Sequence, residues 1–505
     1  MALARAWSVA LSGVDGVAVE IEADIGGGRP GIQIVGLADA ALNEARSRMR
    51  AAVRNSQLTW PDELVTLALS PAALPKSGSG YDVALACAVL VAAGLVPPTE
   101  LADTVLLGEL ALDGRIRSVR GVLPCLLAAR RAGLRRAVVP VAALPEAALV
   151  PGVRVLGAER LVDVLAFLRG EADALRSPEP APPTAAPAAG PDLVDVLGQP
   201  EARWALEVAA AGGHHLLLTG PPGTGKTMLA KRLPGLLPPL TEEQALAVTA
   251  IHSVAGCLTP DAPLVTVPPF MAPHHSASVA ALIGGGPGLA KPGAISRAHH
   301  GVLFLDEACE AAPRCLEALR TSLEEGEVRL ARRDGMVSYP AGFQLVLATN
   351  PCPCAPPREI DCTCAPQAKR RYLTRLSGPL LDRVDLRVRM RPSSAIPRDA
   401  STTPETTEQV RARVEKARRR AVERWAGRGW HTNAQVPGPI LRREFALPRR
   451  DTVLLDRSLD LGSITARGAD RCLRVAWTLS DLSDTDRPTA DHVSAALEFR
   501  DRRAA

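Results

Sequence analysis

The chain has 505 residues, 47% of them hydrophobic and 22% charged, more than a single core uses, which sets an expectation of two or three globular domains. No apolar run reaches the roughly 20 residues that span a bilayer, and the first residues lack a sustained apolar stretch followed by a cleavage site, so a cytoplasmic protein without membrane contact is expected. With 59 basic and 54 acidic residues the formal charge is +5, too balanced for polyanion binding by bulk charge, and any nucleic-acid contact has to be local.

In chain order, a β-rich run at Val65–Leu69 and helical stretches at Tyr81–Ala93 and Val122–Ala132 mark an N-terminal α/β or α+β domain over residues 1–172. The tract Arg176–Pro191 alternates proline and alanine, can neither build a helix nor bury a core, and makes 173–191 an extended linker. Residues 192–390 follow with apolar runs at His215–Thr219, Val302–Leu305 and Gln344–Ala348, read as buried strands of a parallel sheet with crossover helices. Beyond about Met390 strand signals stop, and arginine-rich helical segments at Val410–Trp425 and Ala466–Asp481 make 391–505 a helical lid. The fold class is α/β.

The run His215–Thr219 ends in Gly220-Pro221-Pro222-Gly223-Thr224-Gly225-Lys226-Thr227, with Met228 behind it. In such a loop the glycines let backbone N–H groups converge on phosphate oxygens, Lys226 reaches the β- and γ-phosphates, and Thr227 ligates Mg²⁺, so ATP with Mg²⁺ is the expected ligand. The strand Gly301-Val-Leu-Phe-Leu delivers Asp306 and Glu307 at its carboxyl end, where ligands of open α/β sheets sit. Asp306 is expected to hold Mg²⁺ through water, and Glu307 to act as the catalytic base on the attacking water. A third strand ends at Asn350, whose amide can bond the γ-phosphate or that water.

Phosphoryl transfer also needs positive charge where the transition state spreads negative charge, and a ring ATPase can supply it from the adjacent subunit. Arg383, in Ser377-Gly-Pro-Leu-Leu-Asp-Arg-Val-Asp385, is the first candidate; Arg371 and Arg375 are rivals, and a salt bridge to Asp385 is the structural alternative. Thr465-Ala-Arg467 opens a lid helix and resembles a sensor 2 motif, in which Arg467 touches the γ-phosphate of its own chain; Arg474 is a substitute.

Together these motifs are those of an AAA+ ATPase, and the chain resembles the ComM/YifB family of magnesium-chelatase-like ATPases over essentially its whole length. The resemblance extends to Leu233-Pro-Gly-Leu-Leu-Pro-Pro-Leu240, Pro273-His-His-Ser276, Ile283-Gly-Gly-Gly286, Asn350-Pro-Cys-Pro-Cys354 and Arg371-Tyr-Leu-Thr-Arg-Leu-Ser-Gly-Pro379. It implies a homo-oligomeric ring, a hexamer, that translocates on DNA and drives branch migration of recombination intermediates during uptake of transforming DNA. A chelatase-type motor acting on a protein partner is the alternative. The chain departs from the family with Ala294 for a usual glutamate and Met271 for a usual arginine. His274 and His275 are candidates for DNA contact in the ring pore.

The N-terminal segments Ser70–Asp82 and Gly108–Arg115 resemble a Lon-protease-type domain of the ribosomal S5 fold. Alignment puts Gly80 at the serine position and Leu123 at the lysine position, neither of which supports a Ser–Lys mechanism, so the domain is expected to be peptidase-inactive. Of the 10 cysteines, Cys352, Cys354, Cys362 and Cys364 form a CxC…CxC pattern and the rest are scattered, unlike a disulfide framework. Two readings stand for the four: a structural Zn²⁺ knuckle, or reduced loop thiols, since CxC is tighter than common zinc-ribbon spacers. Lys369-Arg370-Arg371 can meet phosphates, whereas the lid-helix arginines read as a solvated face. Aromatic residues make up 3% of the chain, so DNA binding is expected to be backbone-directed and salt-sensitive, without a stacking platform.

Overall fold

A computed structural model describes residues 3–37, 39–171, 173–179, 190–259, 261–286, 288–332, 335–376, 378–392 and 405–500. Most of the proline/alanine tract, 180–189, and the first residues of the expected lid, 393–404, lie outside the described residues.

The first domain is built on a seven-stranded mixed sheet in the order Gly31–Val35, Leu64–Ser70, Asp15–Gly26, Ala4–Ser12, Thr104–Leu106, Arg136–Pro140, Arg154–Ala158. Asp15–Gly26 runs antiparallel to both of its neighbours, and the other pairs are parallel. Helix Asp82–Ala92 is buried along its whole length, as expected of a helix without a polar face. Its one carboxylate, Asp82, is fully buried and is satisfied by Arg48 Nε at 2.7 Å and the Leu110 N–H at 3.1 Å. Beyond residue 172, Leu175 is buried and Arg176 exchanges backbone hydrogen bonds with Gly157 at 2.7 and 2.9 Å, so the start of the expected linker packs on the first domain.

The second unit holds a five-stranded, all-parallel sheet, Phe270–Met271, Val302–Leu305, Gln344–Thr349, Leu216–Thr219, Leu386–Arg389. Numbered along the chain, this is order 5-1-4-3-2. The first strand in sequence is thus an interior strand, flanked by the fourth and fifth. Val302–Leu305 and Gln344–Thr349 are buried at every position, which is why they read as continuous apolar runs.

The lid helices Thr407–Arg424, Gly438–Arg443, Arg449–Asp460, Ala466–Leu482 and Ala490–Glu498 share one hydrophobic core with helix Pro200–Gly212 and the sheet. Thr406 and Gln409 form a reciprocal cap at the start of the longest of them. Trp425, fully buried, meets Trp430, Phe445 and Trp477 edge-on, with the Arg424 guanidinium 4.5 Å over the Trp477 ring. The lid-helix arginines serve the fold: Arg411 binds the Gly235 carbonyl, Arg413 binds Glu207, Arg418 the Ala210 carbonyl and Arg420 Asp484. Burial brings the Arg418 guanidinium down to about 10. The first domain docks on the second through Glu146, whose carboxylate accepts from Ser253 on helix Glu242–Ala255, and through the turn at Gly13, set against the Ser338 carbonyl.

Candidate active site

Strand Leu216–Thr219 hands the chain to a loop in which Gly223 (φ 78°) and Gly225 (φ 89°) adopt left-handed conformations that side chains disfavour. The loop then enters helix Lys226–Ala230. Lys226 is buried in this cradle and donates to the carbonyls of Gly220 at 2.5 Å and Pro221 at 2.9 Å and to Asn350 Oδ1 at 3.1 Å. Burial lowers its pKa, and the nearby Asp306 and Glu307 oppose that shift. Thr224 Oγ1 donates to the Pro221 carbonyl at 2.9 Å and stiffens the loop. Met228 lies on the first turn of the helix, 39% exposed.

Thr227 Oγ1 donates to Asp306 Oδ2 at 2.5 Å. A hydroxyl and a carboxylate brought together from two adjoining elements are the hard oxygen donors that Mg²⁺ takes, so the residues present fit Mg²⁺ with a nucleotide. Asp306 Oδ1 accepts the Glu307 N–H at 3.0 Å, and Glu307 itself is left-handed at φ 50°, a conformation a non-glycine residue adopts at a cost. Its carboxylate lies 2.9 Å from His275 Nδ1. The His275 ring packs at a tilt of 36° against His274, centroids 4.1 Å apart, and His274 Nδ1 contacts Ser276 Oγ at 2.7 Å. Sequence reasoning pointed this histidine pair at a DNA pore and missed the contact with Glu307. The signal was topological: Phe270–Met271 pairs in parallel with Val302–Leu303, so both chains leave the sheet at the edge that carries Asp306 and Glu307.

The two remaining candidates lie elsewhere. Asp385 accepts the His215 N–H at 2.9 Å and binds Arg471 at 2.6 Å, which fixes Arg471 at the amino-terminal edge of the sheet. Burial alone would raise the Asp385 carboxyl; Arg471 above all, with His214 and His215, outweighs it and holds the group far below the usual carboxylate range. Beside it a cavity of about 270 Å³ is lined by Leu323, Glu324, Asp382, Arg383, Arg467, Asp470, Arg471 and Arg474. The four-residue strand Leu216–Thr219, about 13 Å long at 3.3 Å per residue, separates this edge from the glycine loop. Arg467 lines this cavity, on the side of the sheet opposite the glycine loop. Arg383 pairs with Glu324 and the Pro379 carbonyl rather than with Asp385. Arg474 binds the Val436 carbonyl at 2.7 Å. Arg467, exposed on the first turn of its helix, has no hydrogen-bond or ion-pair partner among the described residues. Of the rivals, Arg375 binds the Cys309 carbonyl and Glu310 at 3.1 Å, and Arg371 is exposed.

The sulfurs of Cys352, Cys354, Cys362 and Cys364 converge within 4.8 Å of one another. In the first domain, Lys76 is fully buried and donates to the carbonyls of Leu69 and Pro71, while Ser79 donates to Glu109. Gly80 and Leu123 contribute no side-chain chemistry, and no Ser–Lys dyad forms among the described residues.

Comparison with known proteins agrees with this architecture. The families described as magnesium chelatase, subunit ChlI, and as its C-terminal part match residues 192–397 and 404–500, and a further ChlI family matches 21–143. An uncharacterised protein of Mycobacterium tuberculosis is 58% identical over 503 residues, covering 99% of both chains. The uncharacterised protein YifB of Escherichia coli is 39% identical over 501 residues, 99% of this chain and 97% of its own. The competence protein ComM of Haemophilus influenzae is 38% identical over 505 residues, 99% and 98% respectively. No helix among the described residues is long and apolar enough to cross a membrane. Full-length relatedness, the matching families and the P-loop sheet together identify this chain as a member of the ComM/YifB family of magnesium-chelatase-like AAA+ ATPases.

Proposed function

We propose that this chain hydrolyses ATP as a subunit of a homo-oligomeric ring, a hexamer, and uses the energy to translocate on DNA and promote branch migration of recombination intermediates. The observation that carries the ring is the division of charge between the two edges of one sheet. Lys226, Thr227, Asp306, Glu307 and Asn350 assemble at the carboxyl edge. The arginine-lined cavity with Arg383 and Arg467 opens at the other. With Arg383 and Arg467 at the far edge of the sheet, the site at the carboxyl edge is completed by these arginines from a neighbouring subunit.

In that reading the glycine loop and Lys226 hold the phosphates of ATP, Thr227 and Asp306 hold Mg²⁺, Glu307 takes a proton from the attacking water, and Asn350 orients the γ-phosphate. Mg²⁺ supplies charge neutralisation between the phosphates. DNA as the track is supported by the relationship to a competence protein and by the exposed Arg370 and Arg371 beside Lys369.

The deciding experiment measures ATP turnover without DNA and with single-stranded, duplex and four-way-junction DNA, each at low and moderate salt. Stimulation by DNA that fades as salt rises is expected. Unchanged turnover on every DNA refutes the translocase and favours the chelatase-type motor acting on a protein.

A further inference from the structure

We propose that Cys352, Cys354, Cys362 and Cys364 form a mononuclear zinc–thiolate site that locks the segment following Asn350 onto the basic helix Pro366–Leu373. Four thiolates about 2.3 Å from a tetrahedral zinc lie about 3.8 Å from one another. The Cys352–Cys354, Cys354–Cys362 and Cys352–Cys362 sulfur separations are 3.5, 3.5 and 3.3 Å, and all four sulfurs fall within 4.8 Å. These distances are far beyond the 2.03–2.05 Å of a disulfide, and the four sulfurs are too closely gathered to surround a cluster of several irons.

The backbone is arranged for the same purpose. Ala355 turns the chain in a left-handed conformation (φ 43°), its N–H donating to the Cys352 carbonyl at 3.2 Å. Four thiolates around Zn²⁺ leave two negative charges, and the Lys369 ammonium, beside Cys362, offsets part of that.

Among the described residues the segment is otherwise held by local contacts, chiefly the Arg358–Asp361 ion pair. Between Cys354 and Cys362 its regular structure is one short turn, Glu359–Asp361, and Ile360 is 87% exposed. A stretch that buries so little apolar surface needs a cross-link to stay in one conformation. The cross-link has defined ends: Cys352 follows Asn350 by two residues, and Cys364 precedes Pro366 by two. Zinc here joins the amide that faces Lys226 to the helix bearing Lys369, Arg370 and Arg371.

The test uses the full-length protein, purified without a histidine tag or chelator. Elemental analysis should find about one zinc per chain. The Co²⁺-exchanged protein should show intense thiolate-to-cobalt absorption, and Cys354→Ser/Cys364→Ser should lower zinc content at least about tenfold. If that variant does not fold, the wild-type metal content and cobalt spectrum decide by themselves. Absence of metal with four freely titrating thiols, or stoichiometric iron in place of zinc, overturns the proposal. Stripping zinc from the folded protein should then accelerate amide exchange across residues 351–373 while the strands of the parallel sheet stay protected. Unchanged protection of 351–373 would overturn the locking role. Both readouts are made without nucleotide or DNA, so they fail or succeed apart from the translocase reading.

Discussion

If Arg467 serves the neighbouring subunit, two inactive variants should restore each other when mixed. Lys226→Ala removes the phosphate-binding ammonium and leaves Arg467 intact; Arg467→Ala does the reverse. Each alone should lose on the order of 10³-fold or more in turnover, the scale of losing a transition-state arginine or the P-loop lysine. In a randomly mixed ring, a site works when its own subunit carries Lys226 and the donor neighbour carries Arg467. At a fraction f of the arginine variant this occurs with probability f(1 − f), so an equal mixture should recover about a quarter of wild-type turnover for independently firing sites. The profile should vanish at both ends of the titration. If Arg467 acted within its own chain, every site would be broken in every mixture. ATP turnover across mixing ratios, after subunits are co-refolded or allowed to exchange, measures this directly, and a flat zero line would refute the placement argued from the sheet's direction. Arg383→Ala mixed with Lys226→Ala should give the same curve. Because Arg383 is already paired with Glu324, Glu324→Gln should leave turnover within about threefold of wild type.

Glu307→Gln should bind ATP normally and lower kcat by about 10² or more. His275→Ala should lower kcat by about tenfold with the KM for ATP unchanged, and adding it to Glu307→Gln should cost nothing further, since His275 acts through that carboxylate; multiplicative losses would place His275 elsewhere. Acid should destabilise the second unit early. Burial depresses both His214 and His215 to about 4, against about 6.5 when unfolded. Over that window the unfolded state binds more protons, so the stabilisation is complete above about pH 6.5 and is lost as pH falls towards 4, by roughly 3 kcal/mol per pH unit for two imidazoles. Urea unfolding followed by tryptophan fluorescence at pH 7, 6 and 5 checks this, and a level midpoint across the series contradicts it.

The parts of the site legible in the sequence were those specified by short segments. The glycine loop announces itself because its left-handed turns at Gly223 and Gly225 need glycine and its strand opens on three leucines and is wholly buried. Asp306 and Glu307 follow an apolar strand. Two strands of the same sheet gave no such signal. Phe270–Met271 is a two-residue pairing, and in Leu386–Arg389 the arginines at 387 and 389, the first of them buried, interrupt the apolar run. What could not be read was direction and distance. The contact between His275 and Glu307 joins two loops through sheet order alone. The motif Thr465-Ala-Arg467 is local, and nothing local states which edge of a distant sheet its helix will meet. The lid arginines looked like a solvated face, yet Arg418 is half-buried and bonded to a carbonyl, a distinction set by the helix packed against it.

The two edges are joined by one rigid element. Glu307 and Glu310 lead directly into helix Pro313–Glu325, whose last turn carries Leu323 and Glu324 in the arginine cavity. Its 13 residues, at 1.5 Å of rise each, span about 20 Å, enough to run from the catalytic edge to the far one. The buried positions Cys315, Leu316 and Leu319 pack it into the core that also holds Leu303, Leu305, Leu345 and Leu347 of the sheet, so a displacement at its start is transmitted to its end rather than absorbed within it. Glu324 holds Arg383 at that end. If the chain works in the proposed ring, a change of state at Glu307 in one subunit bears on Arg383 of that subunit through this helix, a mechanical basis for sequential firing. The measurable consequence is coupling: breaking the Glu324–Arg383 pair should weaken the dependence of one site's turnover on its neighbour's occupancy, seen as a Hill coefficient for ATP falling towards one, while leaving single-site binding intact.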